Sequence, residues 1–240
     1  MASTPYRPDT RAFLWYTMSA MWLGLYLAVA AISNARDMVA PLSRIQLPLL
    51  SGLCAYLGAR LPRPGEAVTY EVRARRVRRA VWFCFVLYFH LVLTFTLIDP
   101  GMGRNFLSFL HAGIEERADY IQGHINFTPL YTIRTIYWNG YRNGYISRAN
   151  LMLNLAGNIF VFAPLAFFIP YLWRGKHPTL RFLVLTLAAV LSVELCQLVF
   201  MCGSCDIDDF ILNFGGATAT YLLLCLPPMR RLVARAFLCA

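Results

Sequence analysis

Six long apolar runs, all but the last two set apart by arginine-bearing connections, constrain this chain more than any other feature in it. They are Phe13–Ile32, Ile45–Ala59, Ala80–Ile98, Leu151–Trp173, Phe182–Met201 and Ile207–Leu226. Crossing the hydrocarbon core takes about 20 predominantly apolar residues in a helix, so each run is a candidate span. The second is shorter than the rest and contains Pro48. Only 14% of the 240 residues are charged and mean hydropathy is +0.52, which leaves little material for a soluble domain. The expected fold is an all-α, polytopic membrane helix bundle of about six transmembrane helices.

Arginine placement orients the bundle. The net charge is +10, and every basic residue except Lys176 is arginine. The connection from Arg60 to Arg79 carries Arg60, Arg63, Arg73, Arg75, Arg76, Arg78 and Arg79. Arg174, Lys176 and Arg181 sit in the next short loop, and Arg230, Arg231 and Arg235 in the tail. Cytoplasmic loops are enriched in Lys and Arg, and all three segments fall on one side if both termini are cytoplasmic. Charge located between apolar spans points to topology and lipid headgroups, and away from nucleic acid. The N-terminus lacks a cleavable signal pattern, so the first run reads as a retained span.

Four segments follow. Residues 1–98 form an N-terminal three-helix membrane part with an arginine-rich cytoplasmic loop at 60–79. Residues 99–150 form an outer connection, amphipathic or re-entrant, that is too long for a plain loop. In it Phe106, Leu107, Leu110, Ile114 and Ile121 recur at roughly helical spacing. Residues 151–226 form a three-helix core, and 227–240 a basic cytoplasmic tail.

Polar residues inside spans are rare and face a bundle interior or a wet cavity, which makes each a site candidate. Asn154 and Asn158 share a face of the fourth span, and Glu194 and Gln197 a face of the fifth. At the mouth of the sixth, "DIDDFILN" sets Asp206, Asp209 and Asn213 on one face, with Asp208 turned away as a solvated helix-end acid. At ~1.5 Å per residue, all of these except Asp206 and Asp208 lie within about 12 Å of the outer ends of their spans. One outward-facing polar pocket lined by Asn154, Asn158, Glu194, Gln197, Asp206, Asp209 and Asn213 is the economical reading. Gly157, Pro164, Asp208 and Gly216 are expected to be structural, the glycines as close-packing positions. Interhelical hydrogen bonding alone is the alternative for Asn154 and Gln197. Cys202 and Cys205, in "CGSC", have redox-pair spacing but no surrounding βαβ unit; facing outside, they could close a small disulfide. No nucleophile elbow, phosphate loop or zinc pattern is present.

The blocks "NFTPLYTI", "NLAGNIFVFAPLAFFIP", "SVELCQLVF" and "DIDDFILNFGGATATYLLL" resemble, in order and spacing, those of VanZ-like integral membrane proteins over about Asn126–Leu224. By position, that family's polar pattern falls on Asn154, Gly157, Asn158, Pro164, Glu194, Gln197, Asp206, Asp208, Asp209, Asn213 and Gly216. The resemblance implies a cell-envelope setting and a link to teicoplanin, a glycopeptide that binds cell-wall precursors. Two departures stand out: Gly203 where many members carry an arginine, and "GGATATY" near the end. Arg142 or Arg148 could supply the missing cation.

Three functions compete. The first is non-catalytic binding or handling of a lipid-linked cell-wall precursor or glycolipid headgroup at the outer pocket. Membrane lipids and that precursor are its partners, the location is the inner membrane, and no cofactor is needed. The aromatic-rich "YTIRTIYWNGYRNGY" would add stacking faces and phosphate-binding arginines, or serve only as an interfacial belt. The second is a membrane enzyme for a lipid-linked phosphate or sugar. Glu194, Asp206 and Asp209 would be its catalytic residues, or hold a divalent cation. The third is a proton-coupled transporter or flippase working through Glu194, although no inverted repeat is visible.

Overall fold

The computed structural model describes residues 11–36, 41–61, 69–98 and 108–237; the side chains of 29–36, 41–44, 108 and 136 lie outside that description. Asp99, Arg63, Arg104, Phe106 and Leu107 also fall outside it. Helix dominates. Among the described residues, three helical stretches are long and apolar enough to cross a membrane: Tyr70–Ile98, Arg148–Leu172 and Pro178–Val199. Ile207–Cys225 with Pro227–Phe237 makes a fourth only if counted across an 85° bend. The protein is therefore a helical membrane protein with three to four candidate spans.

The chain divides into two compact units, 1–91 with 230–240, and 92–229. In the first, helix α1 (Arg11–Arg36) packs along α2 (Pro41–Arg60). Ser51, Ala55 and Gly58 recur along one face of α2, and small side chains let two helix backbones approach. A Cβ on Gly58 would meet the Ala12 carbonyl oxygen at 3.3 Å and Trp15 Cβ at 3.2 Å. The buried hydroxyls of Ser19 and Ser51 each donate to the other residue's carbonyl, at 2.8 and 2.9 Å. Pro48 stays inside α2 without ending it. Helix α3 spans Tyr70–Leu93, so Arg73, Arg75, Arg76, Arg78 and Arg79 lie on a helix and not in the expected loop. The apolar stretch after Arg79 extends its helical register backwards through the basic segment.

The second unit holds the described part of the long connection, 108–150, together with the last three apolar runs. The single amphipathic helix expected there is instead two short ones, α4 (Ser108–His111) and α5 (Ile114–Gly123), interrupted at Ala112 and Gly113. Ile114, expected on an apolar face, is exposed. Strand β1 (Ile125–Asn126) follows, then a π-helical stretch at Thr132–Trp138 and the short α6 (Asn139–Arg142). The fourth apolar run is split: α7 (Arg148–Val161) ends at Phe162, and α8 (Leu165–Leu172) restarts with Pro164 at its N-cap. Proline fits a helix start because its missing N–H has no partner there.

Helix α9 (Pro178–Val199) and helix α10 (Ile207–Cys225) form the centre. Between them, β2 (Cys205–Asp206) pairs in parallel with β1, Ile125 opposite Cys205 and Asn126 opposite Asp206. On α9 the buried positions Phe182, Thr186, Val190, Glu194 and Gln197 form one stripe. Asn213, Ala217 and Tyr221 do the same on α10. At one end Phe182 stacks on Tyr221, with ring centroids 4.3 Å apart, and the Thr179 and Tyr221 hydroxyls lie 2.8 Å apart. Both stripes change from apolar to polar along their length, and their polar ends meet. The final residues are also helical (α11, Pro227–Phe237); the tail meets α2 where the Tyr56 hydroxyl donates to the Ala236 carbonyl.

Candidate functional site: a carboxylate clasp

The three aspartates at the start of α10 do three different jobs. Asp206 is the N-cap: its carboxylate accepts from the Asp208 N–H at 2.9 Å, the usual role of an acid at a helix start. The same carboxylate accepts from the Asn126 amide at 3.3 Å and, through a very short hydrogen bond, from the Thr132 hydroxyl. Asn126 and Thr132 also bond to each other at 3.1 Å. Asp206 therefore ties the start of α10 to both ends of the "NFTPLYT" block.

Asp208 corrects the expectation most clearly. It is not a solvated helix-end acid: no part of it is exposed. Its carboxylate accepts from the backbone N–H groups of Leu130, through a very short bond, and of Ile133, at 3.1 Å. These donors belong to the first turn of the helical stretch that runs on through Trp138, so Asp208 caps a helix that it does not belong to. Leu130 has φ +63°, a backbone conformation costly for a branched side chain. The bonds from Asp208 hold it there. The π-helical geometry that follows is itself rare and is often found beside functional positions.

Asp209 points the third way, accepting a very short hydrogen bond from the Asn158 amide and so joining α10 to α7. Gly216 lies further along the same contact. A Cβ there would come within 2.8 Å of the Ile159 carbonyl carbon, so only glycine allows the two backbones this close. Gly157, expected to pack in the same way, has open space around its Cβ position.

Glu194 is buried, 4% exposed, behind this cluster. It accepts from the Asp206 N–H at 3.4 Å and from the Asn213 amide at 3.5 Å, both long. The side-chain amide oxygen of Asn213, Oδ1, is buried with no hydrogen-bond partner among the described residues. Gln197 donates to the Thr96 carbonyl at 3.0 Å, tying α9 to a second π-helical turn, Thr94–Ile98. Asn154 does not join the group. It is exposed and donates to the Asn150 carbonyl of its own helix at 2.9 Å.

Of the seven residues expected to line the pocket, Glu194, Asp206 and Asn213 share one hydrogen-bonded network that Asp208 joins, Asn158 and Asp209 pair with each other, and Gln197 bonds to the Thr96 carbonyl. Asn126 and Thr132 were not singled out from the sequence. Their one signal was the presence of an amide and a hydroxyl in a block otherwise read as dipping toward the membrane. Among the described residues, no three His, Cys, Asp or Glu side chains are grouped so that they could hold a metal ion, and Glu194, Asp206 and Asp209 point to different partners.

Around the clasp, Tyr120 stacks on His124, with centroids 3.7 Å apart, and its hydroxyl donates to the Gly203 carbonyl at 2.9 Å. Arg142 and Arg148, the proposed stand-ins for an arginine at Gly203, are both exposed. Cys202 and Cys205 are unbridged. Burial pushes the Cys205 thiol above its ordinary pKa, and the negative charges of Glu194 and Asp206 push it the same way. A thiol held protonated is a weak nucleophile, which argues against a redox pair here.

No curated protein and no solved structure matches the chain. The VanZ/LLP1 family does, over residues 85–228, which takes in the whole clasp as well as most of the third apolar run, beyond the blocks legible by eye. That match covers more than half of the sequence, and the chain belongs to the VanZ/LLP1 family.

Proposed function

We propose that this VanZ-family membrane protein is a non-catalytic envelope protein that binds the headgroup of a lipid-linked cell-wall precursor or glycolipid. The acids of the clasp serve the fold, and the segment they hold carries the recognition. One observation supports this reading above the others. The segment held by Asp206 and Asp208 turns Phe127, Tyr131, Trp138 and Tyr145 to the outside, 70%, 50%, 52% and 85% exposed. Arg134, Arg142 and Arg148 are exposed among them. Aromatic faces stack on sugar rings, and guanidinium groups match phosphate oxygens in bidentate geometry. Holding such a face rigid before binding lowers the entropy lost when a headgroup settles on it.

In this reading the bundle has six spans with both termini in the cytoplasm. The clasp and the aromatic segment then face the outside of the inner membrane, where a precursor headgroup would be met. Bound headgroups would alter precursor handling and, through it, susceptibility to teicoplanin.

The test is native mass spectrometry of the full chain in mild detergent, after expression in cells that make lipid-linked precursors. A retained polyprenyl-linked sugar is expected in the wild type, and its loss in Trp138→Ala and Arg134→Gln with melting temperature unchanged. Equal retention by wild type and both variants would mean that the aromatic face is only an interfacial belt. A second reading, an enzyme acting on such a lipid, draws on one different feature: buried Glu194 beside Asn213, whose side-chain Oδ1 has no partner among the described residues. Hydrolysis of the retained lipid that Glu194→Gln abolishes would favour it.

A further inference from the structure

The end of the chain carries a pattern that the clasp and its aromatic segment leave unused. Helix α10 stops because two prolines follow it. Leu226, directly before Pro227, has φ −61° and ψ 139°, the extended backbone that a following proline imposes. Pro227 then opens α11, where its missing N–H needs no partner, and the new helix runs at 85° to α10. A turn of that size at the end of an apolar helix suits a segment that runs along a membrane surface.

α11 is also more one-sided than the helices of the apolar runs. At about 3.6 residues per turn, Arg230, Arg231 and Arg235 fall on one side, and Met229, Leu232, Val233, Ala236 and Phe237 on the other. The helix itself holds no acid. All three arginines are exposed, and on the opposite side Leu232 is 59% exposed. A basic face backed by an apolar one, with low overall hydrophobicity, is the pattern of helices that lie in the interface with the apolar side toward the acyl chains.

The far end of α11 is pinned at a defined level. The Tyr56 hydroxyl donates to the Ala236 carbonyl at 2.7 Å, and Arg60 donates to the Arg235 carbonyl at 3.4 Å. The Phe237 ring packs against Tyr56, with centroids 5.2 Å apart. Those carbonyls are among the last four of the helix, which have no partner inside it. Tyr56 and Arg60 lie at the arginine-bearing end of α2, and arginines at helix ends gather at headgroup level. Held by prolines at one end and by α2 at the other, α11 is ordered before any lipid meets it. The chain as a whole has 22 basic residues against 12 acids, so it attracts an anionic surface.

We propose that α11 is an interfacial helix that binds anionic phospholipid. Leu232 and its neighbours sit in the acyl boundary, and Arg230, Arg231 and Arg235 meet the phosphates. This surface is separate from the precursor-binding face proposed above and does not depend on it.

The experiment is hydrogen exchange of the full chain in nanodiscs of mixed phosphatidylglycerol and phosphatidylcholine, and in nanodiscs of phosphatidylcholine alone. Amides over 230–237 should exchange at least about fivefold more slowly with phosphatidylglycerol present, the factor that one basic residue at an anionic surface supplies. Arg230→Gln/Arg231→Gln/Arg235→Gln should abolish that difference, whereas Arg174→Gln/Lys176→Gln, which removes charge elsewhere, should keep it. Leu232→Gln should speed exchange in both bilayers by about tenfold or more, the loss expected when a buried leucine leaves an apolar surrounding. Equal exchange of the wild type in the two bilayers would overturn the anionic-lipid contact, and this comparison holds even if a variant fails to fold. Equal loss of the difference in both arginine variant sets would assign it to diffuse attraction and overturn the site. An unchanged rate in Leu232→Gln would overturn the insertion of the apolar side.

Discussion

Two groups of charge stand out in an otherwise apolar chain, and the protein treats them oppositely. The acids of "DIDD" and Glu194 are turned inward, and the chain's own backbone N–H, amide and hydroxyl groups answer them. Arg75, Arg76 and Arg79, near the start of α3, line an open cavity. In sequence both are clusters of charge at the end of an apolar run. Whether such a cluster is glue or contact surface depends on what the fold brings opposite it. Internal donors of correct geometry make an acid structural, whereas charge at the mouth of an open cavity stays in contact with its surroundings.

Breaking the clasp should have the largest effect. Asp208→Ala removes the carboxylate that accepts from the Leu130 and Ile133 N–H groups, and losing two hydrogen bonds to a charged group should cost about 3–6 kcal/mol. Thermal melting in detergent and loss of amide-exchange protection over 130–138 would report it. Neutralising Arg75 and Arg79 should move the melting point by no more than about 0.5 kcal/mol equivalent. If those two results change places, so do the roles of the two clusters.

Next comes the α7–α10 contact. Gly216→Ala drives a methyl into the Ile159 carbonyl and should destabilise by about 1–3 kcal/mol. Gly157→Ala meets nothing and should be neutral, or stabilising by up to about 1 kcal/mol. Parallel melts of the two single variants decide the point.

The asparagines sharpen the same contrast on a smaller scale. Asn158→Ala removes a donor to a carboxylate, for a loss of about 1.5–3 kcal/mol. Asn154→Ala, on an exposed face, should stay within about 0.5 kcal/mol. The smallest effect is chemical. Because burial and the nearby negative charges hold Cys205 protonated, its alkylation should gain speed only above the ordinary thiol range. Glu194→Gln removes one of those charges and lowers the thiol pKa, so alkylation at pH 8 should rise a few-fold, on the order of the tenfold that one pKa unit allows or less. An unchanged rate would show that burial alone sets the thiol.

Much of the architecture was legible in the residues themselves. Helix period and hydropathy are local properties, so α9 and α10 begin and end close to where their apolar runs do. Asp206 as N-cap needs only its own next turn. The four-residue spacing of Asn154 and Asn158 put both on one helix surface, but not which part of that surface meets α10. Asn158 meets it, and Asn154 projects outward.

What sequence alone determined is the class of the molecule: a helical membrane protein of the VanZ type, with its rare polar side chains grouped near the ends of three apolar runs. Tertiary structure decided what those side chains do. The partners of Asp208 are backbone N–H groups, which every residue carries and no residue type announces, more than seventy positions away. The requirement for glycine at 216 but not at 157 rests on the distance between two backbones. Both are long-range facts, because a hydrogen bond or a close packing contact depends on geometry that forms only when distant segments meet.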